Sequence, residues 1–362
     1  MRQPLRTALV GFGTAGSVFH APLIQACQDL TLAGVVTRDP ARRRAVSEAY
    51  PLAQLCDSAD EIFANANSYD LVVIATPHES HLPLAAKAIE AGLPVVIDKP
   101  LALSATEARR FADHVSGTGG MATVFHNRRW DGDFLTVARL VADYTLGRVH
   151  RFESRFDRWR PEPRAGAWRE TRPVEEGGGS LHDLGSHLID QAVHLFGPVR
   201  TVYAELDSRR DAVTADDDVF LALQHEGGVR SHLWASAMAA DHGPRFRVSG
   251  SKGAYVKSGM DCQEAALREG TPPAGDWSRE DPDGWGTLFD GTRSSRVETQ
   301  PGRWDDFYPA VARSIRQPGL PMPVSLDEVV HVLEVAKAAR ESALTGATVR
   351  CERTVIDLSV SP

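Results

Sequence analysis

Thr7-Ala8-Leu9-Val10-Gly11-Phe12-Gly13-Thr14-Ala15-Gly16 is the stretch that decides the fold. Its first four residues, apolar or β-branched, read as a short buried strand. The glycines follow at once, and a helical pattern continues through Ala26. A G-x-G-x-x-G run is weak evidence alone, but between a strand and a helix it is the dinucleotide-binding fingerprint. Gly11 permits the tight turn, Gly13 lets the backbone approach a pyrophosphate, and Gly16 allows the helix to pack closely on the strand. The phosphates would meet the unpaired N–H groups where the helix opens, at Thr14 and Ala15. The alternative is a glycine turn in an α/β protein that binds nothing.

The stretches that follow repeat the same alternation. Strands are expected at Leu32–Thr37, Gln54–Cys56, Leu71–Ala75, Val95–Ile97 and Met121–Phe125. Helices are expected near Ser58–Ala64, over Leu82–Ala91 closed by Gly92, and over Thr106–Val115 with Ser104 as its cap. Continuous apolar strands alternating with helices indicate an α/β fold with a parallel sheet covered on both faces. Beyond about Asn127 the alternation stops. Val149–Phe156, Thr201–Leu206, Val219–Gln224 and Val229–Ala235 read as strands with few helices between them, a largely antiparallel sheet in an α+β second unit. Residues 1–126 and 127–362 are the expected domains, the 362 residues being enough for two at the usual ~100–200 residues each. Glu269–Arg303 reads as a surface loop region, and Leu326–Leu344 as an amphipathic helix packed against one of the domains.

The end of the second strand bears on the choice of dinucleotide. An acidic residue there would bind the ribose 2′-hydroxyl of NAD. Here the strand ends Val36-Thr37-Arg38-Asp39, and Arg42, Arg43 and Arg44 follow. A guanidinium suits a 2′-phosphate through charge-assisted bonds, so Thr37 and Arg38 point to NADP. Asp39, one residue later, leaves NAD possible.

Composition removes several classes. Apolar residues make up 42% of the 362, and 40 basic residues face 48 acidic ones, a net charge of −8. That balance argues against general binding to nucleic-acid backbones, which needs clustered Lys and Arg. The four cysteines lie far apart and form neither a disulfide framework nor a zinc motif, so no metal is expected. No apolar run approaches the length of a membrane span. Met1 runs into Leu5–Val10 with no long apolar leader, and a reduced, cytoplasmic setting is expected.

Two further clusters carry chemistry. In Gly177-Gly178-Gly179-Ser180-Leu181-His182-Asp183-Leu184-Gly185-Ser186-His187-Leu188-Ile189-Asp190, a helix would put Asp183, His187, Asp190 and His194 on one face. Three turns cover ~16 Å, so not all four can reach one substrate. Asp183 and His187 are neighbours, and a carboxylate beside an imidazole suits a general base. A solvated or domain-bonded polar face is the bland alternative, and DxxxH as a divalent metal site a third. Asp98-Lys99-Pro100 follows the fifth strand, and Thr76-Pro77-His78 the fourth. Ligands bind beyond the carboxyl ends of such strands, where a lysine can donate to a substrate oxygen.

Taken together, Gly11–Gly16, Thr76-Pro77 with His81, Asp98-Lys99-Pro100 and Gly177–Asp190 resemble the Gfo/Idh/MocA family of oxidoreductases, in order and over nearly the whole chain. Val124–Asp131 and Phe156-Asp157-Arg158-Trp159 resemble a bacterial subgroup that includes scyllo-inositol dehydrogenases. The resemblance implies an N-terminal Rossmann domain and a C-terminal domain whose open sheet often forms a homo-dimer or homo-tetramer interface. It implies hydride exchange between NAD(P) and a sugar, inositol or related polyol. Lys99 would position the substrate and His187 would be the general acid/base, with Asp183 supporting it or binding substrate. Thr76, Pro77, His78, His81, Asp98 and Lys99 would contact the cofactor, although His78 stands where the family usually has Asn and Asp98 where Glu is commoner. Arg128, Arg155, Asp157 and Trp168 are candidates to meet substrate. The same family contains dinucleotide-binding regulators without turnover and enzymes that use NAD transiently on glycosides.

Overall fold

The computed structural model describes residues 3–163, 170, 172–211 and 213–351. Strand β1 (Leu5–Val10) lies inside a six-stranded sheet with β2 (Leu30–Val36), β3 (Gln54–Cys56), β4 (Leu71–Ile74), β5 (Val95–Ile97) and β6 (Ala122–Val124). All neighbours are parallel, in the order β3-β2-β1-β4-β5-β6. These strands match the sequence reading to within two residues at either end. Leu71–Ile74 and Val95–Ile97 have no exposed surface, which such a sheet secures by carrying helices on both faces. Those helices are α1 (Ala21–Ala26), α2 (Pro40–Ala49), α3 (Ala59–Ala64), α4 (His81–Glu90) and α5 (Ala105–Thr118). Asp39 starts α2 by accepting the Arg42 N–H at 2.9 Å, and Ser104 caps α5. Strand order reverses between β1 and β4, and a crevice opens at the carboxyl ends there.

The second sheet has nine strands: β7 (Val149–Asp157), β8 (Val199–Asp207), β9 (Asp218–His225), β10 (Arg230–Ser236), β11 (Phe246–Gly250), β12 (Ala254–Lys257), β13 (Gly286–Phe289), β14 (Ser294–Val297) and β15 (Val349–Arg350). Their order is β14-β13-β12-β11-β7-β10-β9-β8-β15. Every pair is antiparallel except β7 with β10. The remaining helices are α6 (Gly132–Ala142), α7 (Ser186–Phe196), α8 (Gln263–Arg268), α9 (Phe307–Arg316) and α10 (Leu326–Thr345). Along β9, Val219, Leu221 and Leu223 are buried in a core shared with α6, α7 and α10. Phe220 and Ala222 point to the opposite, partly exposed face.

Two expectations need correcting. Glu269–Arg303 is not all loop, because β13 and β14 form a hairpin at the sheet edge. Helix α10 packs on both cores rather than one. Val329, Val330 and Leu333 join the first core, and Val332, Val335, Ala336 and Ala339 the second. Trp304, Phe307, Tyr308, Val311 and Ala312 also return to the first core, far along the chain from the strands they cover.

Candidate active site

A cleft of about 910 Å³ runs along the carboxyl ends of the parallel strands. Gly11, Gly13, Thr14 and Ala15 form its floor at one end. Gly11 has φ +100°, and a Cβ there would lie 2.6 Å from the Ala75 carbonyl oxygen. A Cβ on Gly16 would lie 2.1 Å from the Gly11 oxygen. Glycine at both positions is therefore what lets the turn and the following helical segment, a π-type turn over Ala15–His20, lie against the strand. Above Gly13 there is nothing within 4 Å. That open cradle beside free backbone N–H groups fits a pyrophosphate.

Thr37, Arg38, Asp39 and Arg42 line the same end. The Asp39 carboxylate is engaged by the Arg42 backbone. Arg43 turns away, donating to the Thr37 carbonyl at 3.0 Å and to Asp57 at 2.7 Å. Thr76 and Pro77 line the middle of the cleft, where Ser80 Oγ donates to Thr76 Oγ1 at 2.7 Å. His78 and His81 are buried and do not line it. His78 Nε2 lies 2.9 Å from the Glu176 carbonyl oxygen, tying the fourth-strand rim to the glycines before Asp183. His81 lies 2.8 Å from the Pro100 oxygen and 2.9 Å from the Thr76 oxygen, bracing the two loops that carry Thr76 and Lys99.

At the far end the cleft is lined by Asp98, Lys99, Asp183 and His187. Lys99 follows β5, whereas Asp183 lies in a π-type turn, Leu181–Gly185, that leads into α7. Lys99 Nζ donates to Asp183 Oδ1 at 2.9 Å and to the Asp183 carbonyl oxygen at 2.7 Å. An ammonium has three donors, so one is left for a ligand oxygen. Asp98 Oδ1 accepts the Lys99 backbone N–H at 3.0 Å. Burial works to raise the Asp98 carboxyl, but nearby His20, His81 and Lys99 outweigh it and hold the group below its ordinary value.

His187 is 5% exposed, and its Nδ1 is buried with no hydrogen-bond partner, leaving Nε2 as the nitrogen presented to the cleft. Burial, followed by the positive charge of Lys99 and Arg128 and by His126 and Arg245, pushes its pKa well below the ordinary histidine value. The ring is a neutral base at neutral pH. The expected Asp183–His187 partnership is corrected, since the Asp183 carboxylate pairs with Lys99 instead. The other two residues of the polar face turn inward to other charges. Asp190 pairs with Arg129 at 2.7 Å, and His194 lies 3.7 Å from Glu328.

Of the substrate candidates, Arg128 lines the cleft, but its guanidinium is bound by Asp131 and Glu264 and rests over the Phe156 and Trp304 rings. Arg155 and Asp157 do not line it. The β7 pleat sends them to the open sheet face, where Arg155 stacks on Trp234 at 3.8 Å and Asp157 accepts the Gly243 N–H. Trp168 lies outside the described residues. Arg158, just past β7, does line the cleft. Sequence reasoning missed Glu264 and Arg268, which close the cleft from α8. Their i,i+4 ion pair was the available signal. Among the described residues there is no cluster of three or more His, Cys, Asp or Glu able to hold a metal, and no helix long and apolar enough to cross a membrane.

Comparison with known proteins agrees with this layout. Residues 5–126 match the family model for oxidoreductases with an NAD-binding Rossmann fold, and residues 134–256 match the GFO/IDH/MocA C-terminal domain. The scyllo-inositol 2-dehydrogenase (NADP(+)) of Bacillus subtilis is 33% identical over 96% of this chain and 96% of its own. An uncharacterized oxidoreductase of Escherichia coli is 37% identical over 96% of this chain and 99% of its own. A solved oxidoreductase structure from Yersinia pestis superposes with a TM-score of 0.89 at 35% identity, covering 98% of this chain and 99% of that one.

Proposed function

Because the chain belongs to the Gfo/Idh/MocA family of NAD-binding Rossmann oxidoreductases, we propose that it is a dehydrogenase acting on a secondary alcohol, or the corresponding ketone, of an inositol, sugar or related polyol. NADP is the favoured cofactor and NAD the alternative. The observation that carries this reading is the convergence of Lys99 and Asp183, 84 residues apart, beside His187 at one end of a cleft whose other end is the glycine turn. Gly11, Gly13, Thr14, Ala15 and Gly16 hold the dinucleotide phosphates, and Thr37, Arg38 and Arg42 the ribose and its 2′-phosphate. Nicotinamide supplies the hydride acceptor or donor when bound.

The residues of the chain supply proton handling and charge. In alcohol oxidation His187 Nε2 takes the hydroxyl proton, which its neutral state permits. The remaining Lys99 donor steadies the oxygen as negative charge develops on it. Asp183 keeps the lysine in place. Arg158, with no ion pair of its own among the described residues, supplies donors to other substrate hydroxyls. The support for a polyol is the name of the Bacillus subtilis relative. We divide the chain into domains 1–126 and 127–362, and assign the partly exposed face of the nine-stranded sheet, with Phe220 and Trp234, to self-association. Light scattering should then give a dimer or tetramer; a monomer would remove that assignment.

Variants test the roles. Lys99→Ala and His187→Ala should keep dinucleotide affinity within about twofold and lose about 10²–10⁴-fold in turnover. Near-normal turnover in either would strip that residue of its role.

A further inference from the structure

Among the described residues, each cation lining the far end of the cleft but one is matched to a carboxylate. Lys99 is bound to Asp183 at 2.9 Å, Arg128 to Asp131 and Glu264, and Arg268 to Glu264 at 2.9 Å. Arg158 lines the same end and pairs with no carboxylate among the described residues. Residues 164–169 and 171, next along the chain, include no Asp or Glu. The position of Arg158 is fixed even so. Its N–H donates to the Ser236 carbonyl at 2.8 Å and its carbonyl accepts the Ala239 N–H at 3.1 Å, which prolongs the pairing of β7 with β10. Trp159 alternates to the other side and is 52% exposed, while Arg158 is partly buried in the cleft wall. A side hollow of about 40 Å³ adjoins the cleft there, and Arg158, Asp183 and Leu184 line both spaces. The other charges of the hollow are taken. Arg210 pairs with Asp217 at 2.8 Å and Glu170 at 2.6 Å, Asp216 pairs with Arg340 at 3.1 Å, and Arg160 is engaged as well. The charge of Arg158 is felt across the cleft at Glu264. Burial works to raise that carboxyl, but Arg128, Arg268 and, less strongly, Arg158 outweigh it and hold it below its ordinary value.

We propose that the polyol this cleft accepts is a polyhydroxy acid, and that Arg158 receives its carboxylate where the side hollow meets the cleft. A guanidinium offers a carboxylate two parallel N–H donors, whereas hydroxyls alone would leave its charge uncompensated. It has five N–H donors in all, so others remain for neighbouring hydroxyls. A carboxylate brings one negative charge, which matches the one cation left unpaired. A phosphate monoester brings about −1.5 to −2 and calls for more. The guanidinium stands on backbone already held by β10, so binding adds little ordering. Because Asp183 lines both spaces, the carboxylate lies next to the partner of Lys99 and not at the reacting carbon. That carbon loses its hydride to the dinucleotide and its hydroxyl proton to His187, and the carboxylate leaves unchanged.

This substrate class rests on the dehydrogenase reading of the cleft, and two measurements keep them apart. Calorimetry on the full-length protein with NADPH or NADH present reads binding alone, since a reduced dinucleotide cannot oxidise an alcohol. The probes are D-gluconate and its neutral amide, D-glucuronate and D-glucose, and D-glucose 6-phosphate. Reduction of NADP or NAD reads turnover on the same compounds and on myo-inositol. At least one acid should bind about tenfold or more tighter than its neutral counterpart, and tighter than the phosphate. Arg158→Gln should weaken that acid by about 10–100-fold, in KM more than in kcat, and remove most of its advantage over the neutral counterpart. Dinucleotide affinity within about twofold of wild type shows that the variant is folded. Arg158→Lys keeps the charge without the fork and should recover part of the preference. Acids that bind no better than their neutral counterparts, a preference that survives in Arg158→Gln, or a stronger preference for the phosphate overturns the proposal. Acid binding that depends on Arg158, with no reduction by any compound, would overturn the dehydrogenase reading and leave the carboxylate site standing. Turnover of myo-inositol with no preference for an acid would do the reverse.

Discussion

Arg38 and Arg42 stand exposed at the edge of the cleft, and no carboxylate among the described residues pairs with either side chain. Arg43, one position on, is tied to Thr37 and Asp57. Charge-assisted bonds of about 1.5–3 kcal/mol each convert to about 10–100-fold in affinity. Replacing Arg38 and Arg42 with Ala should weaken NADP binding by about that factor and leave NAD binding nearly unchanged. Calorimetry reads both, and equal losses for the two dinucleotides would remove these arginines from 2′-phosphate recognition. At the other end, His187 titrates well below about 6.5 and stays a base through that pH. The rate of alcohol oxidation should therefore show no fall centred near pH ~6.5. A limb there that vanishes in His187→Ala would contradict the assigned protonation state. At this scale the sequence displayed Lys99, Asp183 and His187 but not their pairing, because a salt bridge across 84 residues leaves no trace in local spacing.

Among the elements, the glycine turn makes the sharpest contrast. A methyl on Gly16 meets the Gly11 oxygen, whereas one on Gly13 meets no protein atom. Gly16→Ala should lower the thermal midpoint by several degrees, since overpacking costs roughly 1–3 kcal/mol. Gly13→Ala should leave stability near wild type and weaken dinucleotide binding by about tenfold or more. Equal effects on folding and binding from both would mean that the turn does not approach a phosphate. The parallel strands were legible because most carry an apolar run, such as Leu71–Ile74 and Val95–Ile97, bounded by turn residues. The hairpin of β13 and β14 was not, because Ser294, Ser295 and Arg296 are exposed and give no alternation to read. Arg155 and Asp157 were assigned to the wrong face of β7 for a related reason. Successive residues of a strand alternate faces, and only the packing of Phe152, Ser154 and Phe156 fixes which set points inward.

Over the whole molecule, α10 and the return of Trp304–Ala312 bind the two sheets into one body around the cleft. The periodicity of 326–344 revealed a helix, but what it covers depends on contacts with residues hundreds of positions away. The same burial makes the fold sensitive to acid. His182 and His225 are pushed down to about 4, burial being the main cause in each. Their contribution, on the order of 3 kcal/mol each, is complete above the unfolded value of about 6.5 and is lost as the pH falls toward about 4. Asp261 opposes them, because burial raises it to about 6 and its ionised form is relieved below that pH. The urea midpoint should still fall between about pH 6.5 and 4, and less steeply in His225→Gln. A flat profile would contradict the buried neutral histidines.

Hydride transfer itself is tested by mixing the protein with NADP, and separately with NAD, over a panel of inositols, aldoses and deoxy sugars while following the near-ultraviolet absorbance of reduced nicotinamide. The expected result is reduction in step with ketone formation, faster with NADP, and lost in His187→Ala. Tight dinucleotide binding with no reduction across the panel would point to a regulator, product without net reduction to a redox-neutral enzyme, and either would contradict the dehydrogenase reading.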